Sequence, residues 1–401
     1  MMTVQAILLI GGAFILLVGW PPVLRGKLPL LPVIGLWTAI CVVSVTAGAS
    51  RALDPAFYGV QSGIHAMWWL IMPQLVLIIC SYWTLFVPPE RLAVAISGVI
   101  AIAMAANAAL AIVQLSTSDA DLGGIMLRFW GSSATASGAV TVAGLAAGNG
   151  RYTGIFAQPA EAGTAYGVAL LCIIFLARRG ERWRLAEVGG VLVVIGGILS
   201  ISKVFLFAAL PIAAWVIVRS PGVRFRAVAG ATIGSAALLL AGATGFLPAW
   251  GTGNSVILRF LHPNGSFVTL YTAGRYGPGG GSLGPVVADV LHAAPWAGFG
   301  PSGLDTAYDS QWVEILVLSG LIGVILMCAI VAMLGLQWLK MRKVAPPAES
   351  ALAGSVIALA IASSIGFPSL TDNRVGVLIW LLLGVLLANR DLPDTHCASR
   401  S

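Results

Sequence analysis

Charge is scarce in this chain. Only 9% of its 401 residues are Asp, Glu, Lys or Arg, where a soluble domain carries about 25%. Apolar residues fill the gap, at 58% and a mean hydropathy of +0.95. That excludes an ordinary water-exposed globule, and it makes length a poor guide to domain number. Cysteine is also sparse. Cys41, Cys80, Cys172 and Cys328 fall within apolar runs and Cys397 in the last stretch, so no pair is placed for an external disulfide or a metal site. No Walker loop, CxxC or Ser-His-Asp order occurs, and no repeat of 20–50 residues is visible. The first segment lacks a basic n-region and an A-x-A cleavage pattern, which predicts a retained helix and not a signal peptide.

What is present is one apolar run after another. A run of about 20 apolar residues spans a bilayer as a helix. Eleven such segments are predicted, at 3–20, 29–49, 64–87, 92–115, 160–177, 185–201, 203–218, 227–246, 310–337, 351–367 and 374–389. The expected fold is therefore all-α, a polytopic bundle of ten to twelve membrane helices forming a single membrane domain over 1–401. Pro73-Gln74 is the clear interruption within a span, and a kink would explain it. Two long loops are predicted, 116–159 and 247–309. The second is expected to be partly helical, because the apolar residues from Pro285 to His292 are spaced for a short interfacial helix.

Basic residues set the orientation. Arg178, Arg179, Arg182 and Arg184 crowd one connection, Arg219, Arg224 and Arg226 another, and Lys340, Arg342 and Lys343 a third. The positive-inside rule makes these loops cytoplasmic. Counting outward predicts an external N-terminus and a cytoplasmic C-terminus. Arg25, Lys27, Arg91, Arg390 and Arg400 then also fall inside, so 15 of the 22 Lys and Arg residues are inside. The basic balance is thus mostly topology, and a nucleic-acid partner is not needed to explain it. The other seven are Arg51, Arg128, Arg151, Lys203, Arg259, Arg275 and Arg374. Cations kept on the outer face against this bias point to an anionic substrate presented there.

Four motifs lie on that face. Arg151-Tyr152-Thr153-Gly154-Ile155-Phe156-Ala157-Gln158-Pro159 closes the first loop and opens a helix at Pro159. Its plain alternative is an interfacial arginine that reaches for head groups. Ser202-Lys203 separates two short apolar runs and is otherwise a turn lysine. Gly274-Arg275-Tyr276 precedes Pro295-Trp296-Ala297-Gly298-Phe299-Gly300-Pro301, which is otherwise a bent loop. Asp309-Ser310 opens the next helix, with Glu314 a turn further on and Gly320-Leu321-Ile322-Gly323 beyond. Asp309 is otherwise a helix cap. Glu314, deep in a membrane helix, is either functional or a helix–helix contact.

In this order the motifs resemble the O-antigen polymerase and O-antigen ligase superfamily, over roughly residues 145–390. The resemblance implies a membrane glycosyltransferase of the GT-C type. Such an enzyme takes glycan from polyprenyl diphosphate at the outer leaflet, with no nucleotide sugar, metal or other cofactor. It implies that Arg151 and Arg275 bind the diphosphate, with Lys203 and Arg259 as further candidates. Asp309 stands where the ligases carry a catalytic histidine, and Asp-Ser there looks more like the polymerases. The implied partners are a polyprenyl-diphosphate oligosaccharide, a glycan acceptor, and a chain-length regulator or flippase, in the cytoplasmic membrane with the site on the extracytoplasmic face.

The residue chemistry runs parallel. Guanidinium groups bind phosphate oxygens bidentately and stay charged. Glycosyl transfer also needs a base near the acceptor hydroxyl, and Asp309, Glu161, Glu314 and His292 are the outer-side candidates. Asp119-Ala120-Asp121 has metal-binding form, but in a Gly/Ser-rich loop it reads as a solvated turn. Arg151 and Arg275 are expected to converge, unpaired, although 124 positions (275 − 151) separate them. The competing readings are ligase-type transfer to another acceptor, and a transporter or flippase of lipid-linked glycan. Transporters tend to put polar groups near the midplane, and here they cluster at one face.

Overall fold

A computed structural model describes residues 30–49, 63–84, 86–115, 150–156, 158–180, 184–219, 271–272, 274–276, 281, 283–300 and 309–388. The regular structure among them is entirely helical. In chain order the helices are α1 (Leu31–Ala49), α2 (Gly63–Trp83), α3 (Pro89–Leu115), α4 (Pro159–Arg178), α5 (Arg184–Leu199), a π-helical turn (Phe205–Ala209) running into α6 (Leu210–Val218), α7 (Gly284–Ala293), α8 (Gln311–Met341), α9 (Pro347–Ser364) and α10 (Val375–Leu386). Proline begins α3, α4 and α9, where its missing N–H costs nothing and its fixed φ suits the first turn. Four helices, α3, α4, α8 and α9, are long and apolar enough to cross a membrane, and five shorter apolar helices accompany them. This set is consistent with a multi-pass membrane protein. The predicted segments 3–20 and 227–246 lie outside the described residues. The helix expected within 285–292 is present as α7.

α4 is the centre. Every residue from Glu161 to Leu176 is buried, and the helix touches α3, α5, the π turn, α6, α9 and α10. Two small residues four apart make this possible. Side chains of Ser202 and Phe205 fill the space over Gly163, and those of Ala209 and Leu359 the space over Gly167. Close approach at a small-xxx-small face is how helices pack where lipid supplies no hydrophobic drive. On the far side α1 packs on α2 and α8, and Trp37 meets Trp380 of α10 edge to face at 6.0 Å.

The expected single helix at 310–337 is broken. Gly320 has φ 63° and ψ −158°, a region essentially reserved for glycine. The loop at 295–300 fills the break. Phe299 N–H donates to Val317 O at 2.7 Å and Gly300 N–H to Leu318 O at 3.2 Å. In return Leu321 N–H donates to Pro295 O at 2.8 Å and Ile322 N–H to Trp296 O at 3.2 Å. At the crossing Gly298 also has positive φ, and a Cβ on either glycine would strike backbone of the other segment.

Among the described residues, the ion pairs lie towards two ends. At one end Arg179 pairs with Glu349 at 2.8 Å, Trp338 Nε1–H donates to Ser350 O, and Arg342 stacks over Trp338. Arg151, Lys203, Arg275, Asp309 and Arg374 belong to the opposite end by the alternation of α4, α5, α8, α9 and α10. The short segment of α8 before the break, 311–319, begins at that opposite end. There Trp312 donates to Ser364 and Gln311 accepts from the N–H of Leu370.

Candidate functional site

Arg151 is presented by a tightly bonded turn. Asn107 and Gln114 of α3 hold it from below. The Asn107 amide donates to Thr153 O at 3.2 Å and to Tyr166 Oη at 2.8 Å, and its carbonyl accepts from Ile155 N–H at 2.8 Å. Gln114 grips a single residue twice: it donates to Gly154 O at 3.0 Å and accepts from Gly154 N–H at 3.1 Å. Gly154 has φ 68°, and a Cβ there would strike the Asn107 amide. This is the reason for glycine in the sequence motif. Thr153 Oγ1 closes the turn on Phe156 O at 2.6 Å, and Tyr152 N–H reaches Leu199 O at the end of α5 at 2.9 Å.

The Arg151 guanidinium is partly desolvated, which lowers its pKa. Among the described residues it has no carboxylate partner, and its Nε is buried without a hydrogen bond. A guanidinium stays charged even so.

Lys203 follows a strained turn. Ile201 adopts φ 45°, an outlier for a β-branched residue. Ser200 Oγ donates to Gly197 O and Ile201 N–H to Ile198 O. Helix resumes at once, so Lys203 stands just outside the apolar helices Val188–Leu199 and Phe205–Val218. Burial first, then the charges of Arg151 and of Arg275, lower its pKa from 10.5 to about 8. Lys203 thus lies within electrostatic reach of both Arg151 and Arg275, which are distant from it in sequence.

Arg275 is fixed by a turn whose N–H bonds Thr272 O, and Tyr271 Oη donates to Ala362 O of α9 at 2.8 Å. Contrary to expectation Arg275 is not unpaired, because it forms an ion pair with Asp309. Nor does Asp309 cap the helix. Ser310 is the N-cap, its Oγ accepting from Val313 N–H, while Tyr276 Oη bonds the same hydroxyl. Asp309 lies one residue too early to cap, and a facing guanidinium is the stronger partner.

The other carboxylates face elsewhere. Glu161 pairs with Arg374 at 2.9 Å. Glu314, 1% exposed, accepts from Thr371 Oγ1 at 2.6 Å, and Gln311 donates to that hydroxyl at 3.1 Å. Asp372 accepts from the N–H groups of Arg374 and Val375 at the start of α10. His292 is exposed at the end of α7. The structure therefore brings Arg151, Lys203, Arg275 and Asp309 together and leaves Glu161 and Glu314 in separate contacts. Arg259, Asp119 and Asp121 lie outside the described residues.

Sequence reasoning passed over Asn107 and Gln114. Their signal is two amides seven apart, hence on one face, in a part of α3 that is otherwise apolar from residue 98 onward. No protein-family model matches the chain, and no curated protein matches it.

Proposed function

We propose that this chain is a polysaccharide polymerase, a membrane glycosyltransferase that joins polyprenyl-diphosphate-linked glycan repeat units at the extracytoplasmic face of the cytoplasmic membrane. The observation that carries the reading is Arg151: a partly desolvated guanidinium without a carboxylate partner among the described residues, beside Lys203 and Arg275. Asp309 offsets one of these positive charges, and gathering the others in a poorly solvated place favours the binding of a further anion. A diphosphate matches both the charge and the bidentate geometry of guanidinium. The glycan part of the reading rests on the order of the four sequence motifs.

In the reaction the acceptor hydroxyl oxygen attacks the anomeric carbon of the donor glycan. The bond from that carbon to the diphosphate oxygen breaks, and the electron pair leaves with polyprenyl diphosphate. Arg151, Lys203 and Arg275 stabilise the charge gathering on the leaving group. The hydroxyl proton passes to a base, and Asp309, already paired with Arg275, is the candidate. A diphosphate that takes over Arg275 would release the Asp309 carboxylate for this role. Glu161 and Glu314 are the alternatives, each already held by Arg374 or Thr371.

The test is transfer by the purified chain in lipid nanodiscs supplied with a polyprenyl-diphosphate oligosaccharide, with the products sized. Glycans longer than one unit are expected. Arg151→Ala, Arg275→Ala and Asp309→Asn should each lose at least about 100-fold in rate, the scale of removing one charge-stabilising group. Full-length polymer from Arg275→Ala sinks the assignment. A single transfer to a different acceptor would indicate ligase-type chemistry, and movement of the donor across the bilayer without transfer would indicate a flippase.

A further inference from the structure

We propose that Asn107 and Gln114 are positioning residues for the anionic ligand, acting through the turn at 153–155 to aim Arg151. The inference rests on the diphosphate-binding reading above and adds two residues from a helix in which the sequence offered no motif.

Amide side chains are costly in an apolar helix unless every polar atom is bonded. Here the bonding is nearly complete. Both N–H groups and the carbonyl of Asn107 are engaged, and Gln114 engages the N–H and the C=O of Gly154. Asn107 is 5% and Gln114 2% exposed. The bonds converge on the backbone of three consecutive residues, and Arg151 is two residues upstream. A turn could be satisfied by its own backbone or by lipid head groups. Tying it to a packed helix at two levels instead fixes its direction.

The far side is fixed as well. The bond from Tyr152 N–H to Leu199 O ties Arg151's neighbour to the helix end four residues before Lys203. Tyr166, the third partner of Asn107, is fully buried in α4 and meets Phe205 edge to face at 6.5 Å. One bonded unit therefore connects α3, α4, the Arg151 turn and the segment carrying Lys203. A positively charged side chain held at a set place binds with less loss of side-chain freedom than a mobile one.

The experiment is a double-mutant cycle on the full-length protein in detergent, using farnesyl diphosphate as probe. Arg151→Ala is expected to weaken binding about tenfold or more, and Asn107→Ala and Gln114→Ala each by about three- to tenfold. The decisive outcome is in the pairs. If the amides act through Arg151, Asn107→Ala and Gln114→Ala add no further loss in the Arg151→Ala background. Losses that multiply independently would overturn the inference, and so would single amide variants that bind like the wild type. Thermal melting accompanies each measurement, because a purely structural role lowers the melting point without coupling to Arg151. If Asn107→Ala fails to fold, Gln114→Ala and Gln114→Glu (which keeps the acceptor for Gly154 N–H) carry the same cycle. Unchanged binding in Arg151→Ala itself would overturn the ligand reading, a result distinct from additive amide effects.

Discussion

Lys203 is a partly buried lysine that also feels two arginines, and its titration reports the burial first and the arginines second. Its ammonium deprotonates near pH 8 in the folded chain, against 10.5 for a free side chain. Between these values the unfolded chain holds the extra proton, so stability contributed at this residue rises with pH across the window. An anion laid against the three cations reverses the repulsion and restores the proton. Binding is therefore coupled to proton uptake. Affinity for farnesyl diphosphate should fall as pH rises through about 8. In Lys203→Arg, whose guanidinium stays charged, the same titration should be nearly flat. A wild-type profile no steeper than that of Lys203→Arg would remove Lys203 from the site. Arg151, Lys203 and Arg275 were legible in the sequence because cations are rare in it and these oppose the topology. The pairing of Arg275 with Asp309 was not, because they stand 34 positions apart with α7 between them. Arg374 is 213 positions from Glu161, beyond the reach of any local pattern.

Among the elements, α8 departs most from its sequence pattern. In the sequence Gly320-Leu321-Ile322-Gly323 is part of a motif within one continuous apolar run, and nothing in it marks a break. The break at the first of these glycines depends on a loop some 20 residues upstream, whose N–H and C=O groups replace the missing helical partners. That information is tertiary. By contrast the helix starts were legible, since proline and the apolar runs act locally. Gly298→Ala or Gly320→Ala should each cost about 2 kcal/mol or more, through positive φ and the backbone clash. Gly35→Ala is the control. Gly35 is helical with nothing within 4 Å of its would-be Cβ, and this change should stabilise by about 0.5 kcal/mol. Thermal melting in detergent ranks the three. A Gly320→Ala protein that melts with the wild type would show that the crossing is not needed for stability.

For the whole molecule, the basic-loop pattern foretold which residues share an end, because each apolar run reverses the chain's direction. Arg179 with Glu349, and Arg374 with Glu161, each join residues on the same predicted side. The assignment of sides follows from labelling. In intact cells a membrane-impermeant maleimide should reach His292→Cys but should reach Val344→Cys only after permeabilisation. Labelling of both from one side would refute the alternation.

The break in α8 has a further consequence, in the match between protein and bilayer thickness. As one straight helix, its 31 residues would measure about 46 Å, some 16 Å more than a hydrocarbon core of about 30 Å. Its neighbours α1 and α9 have only 19 and 18 residues. At a fraction of a kcal/mol per Å, such hydrophobic mismatch would cost several kcal/mol in tilt or local thickening. Turning at Gly320 leaves residues 321–341, about 31 Å, to cross the lipid alongside those shorter helices. Gln311 and Glu314 lie before that break, and both bond Thr371 in the segment that leads to Arg374.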